Sequence, residues 1–229
     1  MARLKFEPNR SIDTLPEHVG KVLLFCEGET EKNYFEYFKD VFLHEEFKFS
    51  DIVIETVCGN GNAQTVLDKA NEFFDDDQNV KKYQDYRKYL VFDCDAPSNV
   101  QEVICNALKS PMNYQLLLSN LLFETWLMMH FREVETRLKK KATYQAMADY
   151  YHVDSYGSKE KADKGLLRGL IGDGESVRLA ISNAENLAEF WNAQHKRIQK
   201  DISDMNPYTQ MHLLMKEIMD ELQYSTLAK

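Results

Sequence analysis

Cysteine is scarce and unpatterned in this chain of 229 residues: Cys26, Cys58, Cys94 and Cys105 form no C-x-x-C pair and have no histidine at zinc-finger spacing. Neither a disulfide framework nor a structural zinc site is expected, and three of the four fall in or beside apolar runs, as reduced, buried thiols of a cytoplasmic protein would. Long hydrophobic runs are missing too. The N-terminus has no uninterrupted apolar stretch, and the greasiest segment, 116–131, is broken by Ser119, Asn120 and Glu124. Neither a signal peptide nor a membrane span is expected. Positive charge is also short: 28 Lys and Arg against 37 Asp and Glu give a formal net charge of −9. That excludes a surface gripping nucleic acid everywhere by phosphate neutralisation. A local site stays open, because carboxylates holding a divalent ion can meet a phosphate that bare protein would repel. Internal repeats, low-complexity tracts and flexible linkers are lacking, and Gly59-Asn60-Gly61 completes neither a P-loop nor a dinucleotide motif.

What remains is a normal globular composition, 44% hydrophobic and 28% charged, which excludes disorder and fibre. The first twenty residues read as an arm. Apolar runs at 21–26, 52–57, 89–92 and 114–118 have the length and residue types of strands buried on both faces. Between them lie helical patterns: an apolar stripe from Thr30 to Phe42, Ala63–Phe74, and a helix capped by Ser98 or Asn99 that runs through Leu108. Strands alternating with helices mean βαβ units and a parallel sheet over 21–120. Asp75-Asp76-Asp77 lacks the glycine and closing glutamate of a calcium loop and reads as solvated. From 121 to 229 the pattern is helical only, with candidates at 121–140, 144–151, 159–171, 175–202 and 208–222, a region expected to pack on the sheet. Asn206-Pro207 reads as a helix N-cap followed by proline at N1.

Three carboxylates stand where strands end: Glu27 after the first, Asp93 and Asp95 after the third. Ligands of open α/β sheets collect at the carboxyl ends of strands. In an extended segment Asp93 and Asp95 face one way and Cys94 the other, so the backbone offers paired oxygens to a hard cation. Magnesium, which takes one or two carboxylates and several waters, leaves room for a substrate phosphate. Singly, each acid could serve a neighbouring helix N-terminus. Together, three unpaired acids at one edge repel each other, which a cation would relieve.

The residues also resemble a family. Glu27-Gly28 after one strand and Asp93-x-Asp95 after a later one resemble the Toprim fold of topoisomerases, primases and several nucleases. The wider series is Cys26-Glu27-Gly28-Glu29-Thr30-Glu31 with Tyr34-Phe35, then Ser119-Asn120 with Phe123-Glu124, Trp126 and His130-Phe131, then Asn206-Pro207-x-Thr209. It is similar to the RloB family, also met as a component of AbiL-type abortive-infection systems. The resemblance spans about residues 22–214. It implies a Toprim-like (Rossmann-like) α/β domain followed by a helical part, and a magnesium- or manganese-dependent nuclease of bacterial phage defence paired with an ABC/AAA-like ATPase. By the same resemblance Glu27 is a general acid/base or a metal ligand, and Asp93 and Asp95 hold the metal. A non-catalytic regulatory or nucleotide-binding subunit docked on the ATPase is the alternative, and a homo-oligomer is compatible with either.

Glu124 opens a helix just after the fourth strand and so reads both as a further catalytic acid and as ordinary dipole complementation. His130 lies on an apolar helical stripe and reads as a core histidine. Arg132, Arg137, Lys139, Lys140 and Lys141 form one basic cluster, and Lys159, Lys161, Lys164 and Arg168 another. Such clusters are ordinarily solvated faces. As a substrate track they would lead a DNA or RNA backbone to the acids, with Lys139, Lys140, Lys141 and Lys159 as nucleic-acid contacts and Tyr144, Tyr156 or Trp126 as stacking groups.

Overall fold

The computed structural model describes residues 18–43, 52–59, 61–95, 99–134, 137–172 and 174–227. Most of the expected arm, together with Asn60 and Ser98, lies outside the described residues. Lys21–Cys26 (β1) buries every residue after its first, as a strand covered on both faces must. It pairs in parallel with Val53–Cys58 (β2) on one side and Arg87–Asp93 (β3) on the other. Gln115–Asn120 (β4) adds in parallel to β3. The connections are helical: Glu29–Phe42 (α1) joins β1 to β2, Ala63–Phe73 (α2) and Asp77–Lys82 (α3) join β2 to β3, and Val100–Lys109 (α4) joins β3 to β4. Asp76, inside the expected solvated acidic run, caps α3 by accepting from the Gln78 N–H.

Right-handed crossovers decide which face each helix covers. The chain moves one way along the sheet from β1 to β2 and the other way from β2 past β1 to β3, so α1 takes one face and α2 and α4 the other. The resulting order, β2-β1-β3-β4-β5, places the reversal between β1 and β3. Neighbouring crossovers diverge there and open a crevice at the carboxyl edge.

The C-terminal half contributes Glu124–Met129 (α5), Lys140–Tyr151 (α6), Ser158–Lys161 (α7), Lys164–Ile171 (α8), Glu175–Ala193 (α9), Ile198–Asp201 (α10), Tyr208–Thr209 (β5) and Met211–Leu227 (α11). It shares one hydrophobic core with the sheet: α8 packs on α1, α10 on α4, and α11 on β4 and α9. It is not purely helical, since β5 pairs antiparallel with the end of β4 through Ser119–Thr209 and Asn120–Tyr208. No helix among the described residues is long and apolar enough to cross a membrane.

Four helix boundaries differ from the sequence reading. The helix expected over 159–171 is two, α7 and α8, with Asp163 capping the second through the Gly165 N–H. The helix expected over 121–140 is only α5, ending at Met129. Beyond it Val134 and Leu138 are buried, and the Asn206 side chain holds Leu138 at both backbone groups, accepting from its N–H at 3.0 Å and donating to its carbonyl at 3.1 Å. The helix expected over 175–202 stops at Ala193, and His195 turns the chain with φ of 58°. Asn206-Pro207, expected to open a helix, is a cis peptide unit whose asparagine clamps Leu138 instead. The next helix, α11, has its Met211 N–H met by Thr209 Oγ1 at 3.2 Å.

Candidate functional site

Glu27 follows β1 directly, and its own N–H extends the ladder by donating to the Val91 carbonyl at 2.9 Å. That fixes its side chain over the end of β3, where Oε2 accepts from the Asp93 N–H at 3.0 Å. Burial pushes the Glu27 carboxyl up to about 7, and Asp95 adds to the shift while the Asp93 amide opposes it. Asp93 is the last residue of β3, opposite Ser119. The residue is partly exposed, yet its Oδ1 is buried and has no hydrogen-bond partner among the described residues. Its pKa is raised well above the ordinary carboxylate range by burial first, then by the charges of Glu31, Glu124, Glu27 and Asp95. Asp95, two residues on, is reached by Lys140 Nζ at 3.0 Å.

Two further acids complete the group. Glu124 opens α5 just beyond β4 and is 1% exposed; its Oε2 has no hydrogen-bond partner among the described residues, while Oε1 lies 2.6 Å from Lys161 Nζ. Glu31, in the first turn of α1, is buried and folds back so that Oε2 accepts from the Gly28 N–H at 3.1 Å. Burial drives it up to about 7, with Glu124 and Glu27 adding and Lys161 opposing. Glu31 stands in the quoted motif, but as a first-turn acid it carries no sequence mark that separates it from dipole complementation.

The aromatic residues of the motif hold these acids in place. Tyr34 of α1 makes edge contacts with Phe123, Trp126 and His130, which lie in or beside α5, and its OH meets His130 Nε2 at 3.1 Å. The helix carrying Glu31 is thereby locked against the helix carrying Glu124. His130 is a core residue at 2% exposure, and burial pushes it down to about 3. Trp126, considered above for base stacking, is fully buried and has no face to offer a base. Ser119 and Thr209 bond to each other through their hydroxyls at 3.0 Å, so the end of the motif fastens β5 to β4.

Basic residues come from the helical half. Lys140 reaches Asp95, Lys141 lines a neighbouring cleft, Lys139 precedes α6, and Lys159 is exposed in the single turn of α7. Lys161 is the lysine that goes deepest. It donates to the Tyr144 hydroxyl at 3.0 Å and sits 4.6 Å from the centre of that ring. Burial would lower its pKa, but Glu124 and Tyr144 more than offset this and hold it above the ordinary lysine value. Cys26 and Cys94, beside the acids, have thiols raised by burial first and neighbouring carboxylates second, so they stay protonated and poorly nucleophilic.

The donors are hard oxygens, which suit magnesium or manganese. Among the described residues no three His, Cys, Asp or Glu side chains form a ready-made metal cage. A magnesium ion needs only one or two carboxylates and keeps its waters, and Asp93 Oδ1 is a buried oxygen lacking a partner among the described residues. The residues therefore fit a hydrated divalent ion rather than a closed structural site.

The profile of the RloB-like protein family matches residues 22–218. This chain belongs to the RloB-like family. All five acids of the cluster, Glu27, Glu31, Asp93, Asp95 and Glu124, lie inside the matched stretch, as do Lys140 and Lys161. No curated protein and no solved structure matches the chain.

Proposed function

We propose that this RloB-like chain is a divalent-metal-dependent nuclease with a Toprim-like centre, hydrolysing phosphodiesters of DNA or RNA as the effector of a phage-defence system with an ABC/AAA-like ATPase. The observation that carries this reading is Asp93: a buried carboxylate oxygen without a hydrogen-bond partner among the described residues, set among four other acids at the edge where the strand order reverses. Burying that much like charge is unfavourable unless something positive arrives to use it. Asp93, with Asp95 beside it, would hold magnesium or manganese, which leaves Glu27 free to move a proton. The ion, when bound, supplies charge neutralisation at the phosphate and a water of lowered pKa.

The chain's own residues do the rest. Glu27, anchored through Oε2 and pushed up to about 7, exchanges a proton readily at neutral pH, which is what a general acid/base needs. Lys140 and Lys161 bring positive charge to the rim, where a phosphodiester would otherwise meet only carboxylates. The net charge of −9 leaves the free chain a poor collector of polyanions, which supports a partner that delivers or licenses the substrate.

One observation favours the rival reading of a non-catalytic subunit: Lys140 and Lys161 already pair with Asp95 and Glu124. The deciding experiment incubates the purified protein, with and without the ATPase, with labelled DNA and RNA in magnesium, manganese or chelator. Cleavage is expected with metal and is expected to vanish in Asp93→Asn. Because that substitution removes one repelling charge, the variant should melt in chelator at or above the wild-type temperature. A folded Asp93→Asn protein that cleaves like wild type would sink the nuclease assignment, and one that melts well below wild type would make Asp93 a structural residue.

A further inference from the structure

Beside the acid centre lies an open cleft of about 480 Å³ lined by Lys140, Lys141, Tyr144, Gln145, Asp154 and Tyr156, among others. We infer that it seats one unpaired nucleotide of the substrate, next to the phosphate being cut; this rests on the nuclease reading above.

The cleft and the acids share a wall. Lys140 lines the cleft and also meets Asp95, while Tyr144 and Tyr156 line it and flank Lys161, whose Nζ lies 2.6 Å from Glu124. Whatever occupies the cleft is one side chain away from the carboxylates. Its volume falls within the range of small-ligand sites, about 300–1,000 Å³. Its chemistry matches the parts of a nucleotide: two tyrosine rings for the face of a base, an amide and a carboxylate for the base edge, and lysine ammoniums for the flanking phosphates. The Tyr144 and Tyr156 rings are tilted at 59° with centres 5.9 Å apart, so a base stacks on one of them rather than sandwiching between the two. Tyr144 is partly exposed, with Lys161 4.6 Å and Lys140 6.0 Å from its ring centre, so a base stacks on the part of that ring the lysines leave open, whereas Tyr156 is 6% exposed and forms the back of the cleft.

A base inside a duplex has both faces covered and cannot reach such a site unless it leaves the stack. The substrate class is thus a single strand, a loop or a frayed end, not the interior of a duplex.

The test is fluorescence anisotropy of the full-length protein with short fluorescein-labelled single-stranded DNA, single-stranded RNA and the matching duplex, at low salt and with calcium in place of magnesium or manganese, so that the acids are neutralised while cleavage is suppressed. At least one single strand is expected to bind about tenfold or more tightly than the duplex, and Tyr144→Ala to remove that preference. Tyr144→Phe, which keeps the ring, should retain it, and Lys141→Ala should weaken binding with a smaller salt slope. Equal affinity for single strand and duplex, wild-type affinity in a folded Tyr144→Ala protein, or no binding of any probe would overturn the pocket. Cleavage is assayed separately in manganese with the ATPase present. If wild type and Tyr144→Ala cut with the same KM and kcat, the pocket falls and the nuclease stands. If the single-strand preference and its loss in Tyr144→Ala are seen but nothing is cut, the pocket stands and the nuclease reading falls.

Discussion

Lys161 and Glu124 form a pair in which one partner is nearly inaccessible: the Glu124 side chain is 1% exposed and Lys161 is 26% exposed. Removing a buried charge's partner costs more than the pair contributes, because the survivor stays desolvated. Lys161→Met is therefore expected to destabilise the protein by about 3 kcal/mol, the low end of the usual range because Lys161 keeps some solvent. Adding Glu124→Gln should return most of it, and urea titrations of the four species in the double-mutant cycle check this. Their pairing could not be read from local sequence, since Lys161 and Glu124 lie on separate elements and only tertiary packing makes them neighbours. The placement of Glu27, Asp93 and Asp95 side by side was legible because each ends or follows an apolar strand, and topology alone brings strand ends together. His130 was legible as core for a similar reason, its place on an apolar stripe. Its pKa, pushed by burial from 6.5 to about 3, carries a pH dependence. The unfolded chain takes up the proton first, so the stabilisation is complete above about pH 6.5 and lost progressively as pH falls toward 3. Wild type should lose more stability between pH 7 and pH 4.5 than His130→Gln does, as read by urea midpoints; equal losses would mean that His130 is already charged in the fold.

The helices are where sequence and structure part. Apolar periodicity predicts a helix through 202, yet α9 ends at Ala193, where His195 turns left-handed and the Lys196 N–H returns to the Trp191 carbonyl at 3.1 Å; the Trp191 side chain meanwhile reaches out of the helix, its Nε1 donating to the Pro207 carbonyl at 2.7 Å. That bond fastens the end of α9 to the segment leading into β5, and a two-residue strand such as β5 carries no pattern to detect. The helix expected over 121–140 fails for a related reason. Beyond α5 the Leu138 backbone is bonded at both its N–H and its carbonyl by Asn206, which lies 68 residues on. The strands, by contrast, were legible to within a few residues, because continuous apolar runs bounded by turns are local signals. Trp191→Ala is expected to cost about 3–5 kcal/mol, as a cavity forms and the Pro207 carbonyl loses its donor. Circular dichroism melts check the stability, and cleavage below the variant's melting temperature should stay near wild type. A stable variant that has lost activity would mean that α9 shapes the acid centre directly.

Across the whole molecule, charge is distributed in a way that matters for the centre. The excess of acids gives a net charge of −9, and five of the acids, Glu27, Glu31, Asp93, Asp95 and Glu124, converge on one crevice. Lys140 and Lys161 answer only two of them directly. Both lysines belong to the helical half, so packing that half on the sheet is what makes the acid edge tolerable without metal. A divalent ion that binds only the folded centre adds RT ln(1 + [L]/Kd), about 2.7 kcal/mol at a hundredfold excess over Kd. For a chain of this size that corresponds to about 5–10 °C in melting temperature. Magnesium and manganese are expected to raise the melt over chelator by that order, and Asp93→Asn to lose most of the increase while keeping its melt in chelator. Sodium chloride at matched ionic strength is the control, since screening alone also relieves repulsion between exposed acids but reaches buried ones poorly. If sodium chloride reproduces the whole shift, or if Asp93→Asn keeps it, the ion is not held at Asp93 and the acids serve only to shape the crevice.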